Sequence, residues 1–354
     1  MNLDRVEKIA EAVLYEGYML YPYRPSSVKN QQRWNFGVLY PPSWSSRQSG
    51  ADRSSMQTES LLKTDESTRL TVKVRFFHIV QRSIAKVISP TSEPPETADP
   101  ILESVDRLEV ADRVYQPWQE AVERELSYED LDPADFATMS PLLFLFPEGR
   151  DIDYLRDEQG VAVGAVIREW RALNGSVEIR SLNCHDNVVR IAVQVENLTR
   201  GDPAIPLLPA SPDETFLHSL VSAHTILGAD HGEFLSLLEP PAGFEEDAAQ
   251  CQNLGTWPVL ATDNADAVLS SPIILYDHPQ IAPESAGNLF DSTEIDEILS
   301  LRILTLTEEE KREMRQSDDR ARGILERTEN MPEEQFMKLH GILRGLTPLK
   351  EGMR

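Results

Sequence analysis

Cysteine is nearly missing from this sequence: two in 354 residues, Cys184 and Cys251, too few for a disulfide framework and with no CxxC pair to hold a metal. Glycine-rich phosphate loops are missing as well. Neither a Walker sequence nor G-x-G-x-x-G occurs, which removes the usual nucleotide-binding signatures. There is no G-x-S-x-G elbow, and neither cysteine has a basic sequence neighbourhood to activate it as a nucleophile. The longest apolar run, PLLFLFP at 141–147, falls far short of the roughly 20 residues that cross a bilayer as a helix, so no membrane insertion is expected. The start, MNLDRVEKIAEAV, lacks the basic residues and apolar stretch of a secretory leader, which makes a cytoplasmic location the expectation. Positive charge is scarce, 34 Lys and Arg against 59 Asp and Glu for a net −25. Such a surface repels nucleic-acid phosphates and anionic lipid and attracts a basic protein face.

One stretch near the start is locally basic in an otherwise acidic chain. LYEGYMLYPYRPSSVKNQQRWNFGVLYPPSW, from Leu14 to Trp44, holds five of the nine tyrosines together with Arg24, Lys29 and Arg33. Rings that bury much area while keeping one polar tip belong in a core seam or at an interface. Tyr21, Tyr23, Arg24, Lys29, Arg33 and Trp34 are therefore the candidate partner-binding residues. Filling a seam between the first helix and a sheet is the competing use of the same rings.

Periodicity divides the chain into four stretches. Residues 1–87 comprise an N-terminal helix (3–16, with Val6, Ile9, Ala10 and Val13 at helical spacing), the aromatic stretch, a loop over 43–67, and an alternating strand at Leu70, Val72, Val74 and Phe76. Residues 88–106, with SPTSEPPETADP, read as a Pro/Glu-rich linker. Residues 107–290 form a β-rich core with a buried strand at PLLFLFP and an antiparallel meander over 160–199. In that meander Asn174-Gly175 and Cys184-His185-Asp186-Asn187 are the breaks. Ser211-Pro212-Asp213-Glu214 is a capping box that opens one amphipathic helix through Phe216, Leu217, Leu220, Val221, His224 and Leu227. Two short strands follow, Thr256–Leu260 and Ile273–Tyr276. Residues 291–354 are expected to be helical, with starts at Asp291, at Thr307 with Glu310, and at Pro332. The fold class expected is α+β: a mostly antiparallel sheet or sandwich with packed helices and a helical C-terminal region.

Candidate metal ligands are Cys184, His185, His224, His231 and His278. None has the i, i+3 or i, i+4 spacing that brings donors together, and Cys184–Asp186 sits where a hairpin turn needs polar residues anyway. No catalytic residue and no cofactor is expected. Three segments together, EAVLYEGYMLYPYRPSSVKNQQRWNFGVLYP, NLGTWPVLA and SSPIILYDHPQIAPESAGNLFDSTEIDEILSLRILTLTEEEK, resemble a family of bacterial proteins encoded beside nickel–iron uptake hydrogenases of the high-affinity, actinobacterial type. The resemblance carries no reaction and no catalytic residues. It implies a setting: a non-catalytic accessory or scaffold protein in hydrogenase assembly or maturation, whose partner is a hydrogenase subunit or a maturation factor. The rivals are a metal-binding enzyme or metallochaperone using the cysteines and histidines above, and a self-associating structural protein.

Overall fold

A computed structural model describes residues 3–18, 36–47, 52–88, 101–111, 113–137, 140–200, 212–280 and 306–317, with 322, 325, 326 and 328–330. The strands are β1 (Ser55–Lys63), β2 (Arg69–Val87), β3 (Leu102–Val105), β4 (Leu108–Val110), β5 (Arg113–Tyr115), β6 (Trp118–Leu131), β7 (Leu142–Phe146), β8 (Gly149–Arg156), β9 (Ala162–Trp170), β10 (Leu173–Asn183), β11 (Val188–Asn197), β12 (Val221–Asp230), β13 (Glu233–Leu235), β14 (Trp257–Leu260) and β15 (Ala267–Ser271). The helices are α1 (Asp4–Tyr18), α2 (Pro42–Ser45), α3 (Pro212–Phe216), α4 (Glu245–Gln250) and α5 (Glu308–Ser317).

Two antiparallel sheets face each other. The first runs β13-β1-β11-β10-β7, and the second β14-β15-β12-β2-β9-β8. The 19-residue β2 is the spine of the second sheet. On one of its sides β12 gives way to β9, and on the other β6 gives way to β3. Leu70, Val72, Val74 and Phe76 of β2 alternate toward the first sheet. There they meet Val177 and Ile179 of β10 and Ile191, Val193 and Val195 of β11. That is the period of two expected of strands with one face on a core. α1 lies on the outer face of the second sheet. Val6, Ile9 and Ala10 pack on Ile226, Val259, Leu269 and Leu275, and Glu7 pairs with Lys73 at 2.6 Å.

The α+β expectation with packed helices and a helical C-terminal region is overturned. Among the described residues strand makes up 51% and helix 15%, in five short helices. The largest correction is the amphipathic helix expected through Leu227. α3 stops at Phe216, and the following run is β12, buried along nearly its whole length. Because β12 has the core on one face and α1 on the other, its apolar residues form a continuous run that periodicity alone cannot tell from a helix. β1 fills much of the loop expected over 43–67. Its inward positions alternate Met56, Thr58, Ser60 and Leu62, so hydroxyls mask the pattern. The Thr58 hydroxyl donates to Ser270 Oγ at 2.8 Å across the sandwich, and Thr256 lies 2.8 Å from the same oxygen.

Smaller corrections follow the same logic. β3 occupies the end of the expected linker and pairs with β2. Asn174-Gly175 is no turn but lies inside β10, since β9 and β10 belong to different sheets. Gly175 is required by close approach: a Cβ there would meet the Phe144 ring at 2.2 Å and Glu196 O at 2.6 Å. Residues 273–276 form no strand, although Leu275 is buried under α1. In the C-terminal region the Thr307/Glu310 capping box does open α5, Thr307 N–H donating to Glu310 Oε2 at 2.7 Å. The expected helix starts at Asp291 and Pro332 lie outside the described residues.

Candidate functional site

The two thiols are brought together on the outer face of the first sheet, at its β1 end. The β10–β11 turn closes with Cys184 N–H donating to Val188 O at 2.9 Å and Val188 N–H to His185 O at 2.9 Å. Asp186 and Asn187 adopt φ of 50° and 59°, the left-handed pair that a tight hairpin favours. α4 is fastened beside this turn. Arg190 Nη1 donates to Gln250 O at 3.0 Å, and the Gln252 and Glu59 backbones exchange bonds with Glu59 Oε2 (2.8 Å) and Asn253 Oδ1 (2.7 Å). Between α4 and the sheet a small apolar cluster of Leu61, Val188 and Leu235 is closed over by Phe244, Ala248, Cys184 and Cys251.

Asp247 is the hub. Its carboxylate lies beside the Cys184 thiol and 3.1 Å from His185 Nδ1, while Cys184 Sγ itself donates to Leu182 O at 3.8 Å. Its backbone oxygen accepts from Cys251 Sγ at 3.5 Å. The His185 ring stacks on Phe244 with centroids 4.7 Å apart. Burial, then the Glu59 carboxylate, pushes the Cys251 thiol up to about 12. Burial, then Asp247, pushes Cys184 up as well. Both are thiols at neutral pH, the opposite of an activated nucleophile. Among the described residues no three His, Cys, Asp or Glu side chains are arranged to hold a metal ion.

The other candidate ligands are scattered. His224 is wholly buried in β12, with Nδ1 on Ser222 O at 2.9 Å and no partner for Nε2. Burial, and then Arg75, holds its pKa down to about 4. His231 sits in the β12–β13 turn at φ 55°, its backbone oxygen accepting from Thr68 Oγ1 at 2.6 Å. His278 is exposed, its Nδ1 3.1 Å from Thr262 O. Of the five candidates, then, Cys184 and His185 come together and the other three stand apart. Asp247, the residue that joins the thiols, escapes sequence reading because α4 is a short acidic turn with no apolar stripe.

Tyr21, Tyr23, Arg24, Lys29, Arg33 and Trp34 lie outside the described residues. A different apolar surface is on view at the far end of the first sheet. Phe144 and Phe146 of β7 turn inward onto Phe76 at 6.0 and 5.8 Å, while Leu143 and Leu145 point outward, 77% and 62% exposed. The strand is expected to be buried; among the described residues it is the sheet edge, paired with β10 alone. Edge strands are ordinarily blunted by charge, proline or brevity. β8 carries Arg150, Asp151, Asp153 and Arg156, β14 contains Pro258, and β13 has three residues. β7 has no charge and no proline within it, although Pro141 and Pro147 bound it.

No family model matches the chain, and no curated protein matches it. Among solved structures, the InvG secretin domain β-barrel from the Salmonella SPI-1 injectisome aligns at 10% identity over 61% of this chain and 58% of its own, with a TM-score of 0.13. The chain thus spans less than two thirds of that neighbour, and at that TM-score the likeness carries no argument. Among the described residues no helix is long and apolar enough to cross a membrane.

Proposed function

We propose that this chain is a non-catalytic accessory protein that works by binding another protein, taking an extended segment of its partner onto the free edge of β7. The observation that carries this reading is that edge, open among the described residues, with Leu143 and Leu145 outward and no charge along it. An added strand gains main-chain hydrogen bonds along the edge, and side chains at alternate positions find the leucines. The net charge of −25 favours an occupant whose flanks are basic. Five residues supply only part of the roughly 800 Å² per partner that a stable complex buries. A second contact is therefore needed, and the rings and cations of Tyr21, Tyr23, Arg24, Lys29, Arg33 and Trp34 have the chemistry for it. The resemblance supplies the setting, so the partner proposed is a hydrogenase subunit or maturation factor.

The test is co-purification from cells that carry the hydrogenase genes. The wild-type chain is expected to bring down a subunit or a maturation protein, and Leu143→Glu with Leu145→Lys to lose it while folding normally. Recovery of none of these proteins by the wild-type chain would defeat the reading. A self-complementary strand also fits a second copy in antiparallel pairing about Phe144. Light scattering on the isolated chain separates the two, since a monomer leaves the edge for another protein.

A further inference from the structure

We propose that Cys184 and Cys251 are the two halves of a reversible disulfide that fastens α4 to the β10–β11 turn. They are the two cysteines of the whole chain. Far apart in sequence, they meet at one small cluster, packed against the same Leu61, Val188 and Leu235, and Cys251 Sγ donates to Asp247 O at 3.5 Å while the charge of the Asp247 carboxylate reaches Cys184. Neither is sealed in the core; both are half-buried, at the margin of α4 where a small reagent can reach them. Cys251 occupies the extended residue just past the helix, at φ −64° and ψ 126°. Its side chain can therefore swing without unwinding α4. Among the described residues no three His, Cys, Asp or Glu side chains are arranged to hold a metal ion, which leaves the pair of sulfurs with chemistry of their own.

The reaction is thiol–disulfide exchange with a low-molecular-weight disulfide such as oxidised glutathione. The Cys184 thiolate attacks one sulfur of the reagent, whose S–S bond breaks and releases one glutathione thiolate, leaving a mixed disulfide on Cys184. The Cys251 thiolate then attacks the Cys184 sulfur and displaces the second glutathione. One S–S bond is made and one broken, the protein sulfurs are oxidised and the reagent's reduced, and the two protons end on the released glutathiones. Cys184 goes first because it is less buried. The groups facing the thiols are Asp247 on α4, His185 in the turn, Arg190 on β11 and Glu59 on β1. Burial first, and then the carboxylates against Arg190, keep both sulfurs protonated. Exchange is consequently slow at pH 7 and quickens about tenfold per pH unit until Cys184 titrates.

The experiment treats the full reduced chain with oxidised glutathione at pH 7, 8 and 9, quenches with acid and iodoacetamide, and reads intact mass and peptide maps. The expected product is a monomer lighter by about 2 Da with Cys184 and Cys251 peptides linked, formed faster at each higher pH. Dithiothreitol should restore the starting mass. Closing so long a loop should also raise the melting temperature on the order of 5 °C over the reduced chain. A stable glutathione adduct with no linked peptide, a covalent dimer, or two cysteines that still alkylate would each overturn the proposal.

Discussion

The two ends of the first sheet obey the same alternation and meet opposite fates. At the β1 end the outward Leu61 is covered by α4, Phe244 and the two thiols and is fully buried. At the β7 end the outward Leu143 and Leu145 stand in water. Pairing does not distinguish them, since both are outward positions on antiparallel strands of one sheet. The difference lies in whether the chain sends back a cover. Where it does, that cover is held by polar clips from Glu59 and Arg190 rather than by a large core. Where none of the described residues does, the apolar strand is left for something else to complete, and single exposed leucines would need no such explanation if they were not paired on an unguarded edge.

The most direct way to break this contrast is truncation at each end. Leu61→Ala should cost about 2–5 kcal/mol in urea unfolding, because the cluster under α4 is too small to collapse around the hole. Leu143→Ala should stay within about 0.5 kcal/mol yet weaken partner capture. Equal costs at both sites would show that β7 is as much a part of the folded core as β1.

Acid should separate the two sheets rather than the two ends. His224 titrates near its free value of 6.5 in the unfolded chain and near 4 in the folded one. Between those values the unfolded state takes up a proton that the folded state refuses. Stability present at pH 7 is therefore lost as pH falls from 6.5 to 4, and the loss then levels off. For this wholly buried ring the effect is on the order of 3 kcal/mol. His78, buried in β2 with Nε2 2.8 Å from Arg171 O and held near 4 chiefly by burial, acts in the same direction. Urea unfolding at pH 7, 5.5 and 4.5 reads the slope, and His224→Asn, which keeps a donor for Ser222 O, should flatten it. Hydrogen exchange at pH 4.5 should open β12 and β2 before β10 and β11. An unchanged slope in the variant would refute this account.

Metal analysis bears on the covered end alone. The arrangement around Asp247 is expected to leave zinc and nickel well below stoichiometric in chain purified without a tag. One ion per chain, lost on chelation together with α4's protection, would replace the disulfide reading with a metal-binding one.

Legibility in the sequence tracked how local the cause was. The hairpin at Cys184–Asn187, the Thr307/Glu310 cap, the stripe of α1 and the alternation of β2 each depend on neighbours in the chain, and each could be read there. β1 could not, because Thr58 and Ser60 bury hydroxyls that bond across the sandwich. β12 looked helical because both its faces are covered. PLLFLFP revealed a strand but not its place at the edge, which is set by β10 and by the room Gly175 leaves for Phe144. The meeting of Cys184 with Cys251 depends on Glu59 and Arg190 gripping residues far along the chain, a pairing that no spacing rule contains.

The smallest effect tests that grip most finely. Asp247→Asn keeps the size of the side chain beside the Cys184 thiol but removes the negative charge that, after burial, pushes this thiol up. The thiolate fraction at pH 8 should rise, and iodoacetamide should label Cys184 about threefold to tenfold faster than in the parent. Cys251 should respond less, since burial and Glu59 come before Asp247 among the causes of its shift. Quantifying the two alkylated peptides by mass spectrometry over time gives both rates in one experiment. Equal acceleration of both thiols would mean that α4 had loosened and exposed the whole corner. No change at Cys184 would mean that Asp247 does not sit on that sulfur, and with it would go the claim that one carboxylate holds the covered end together.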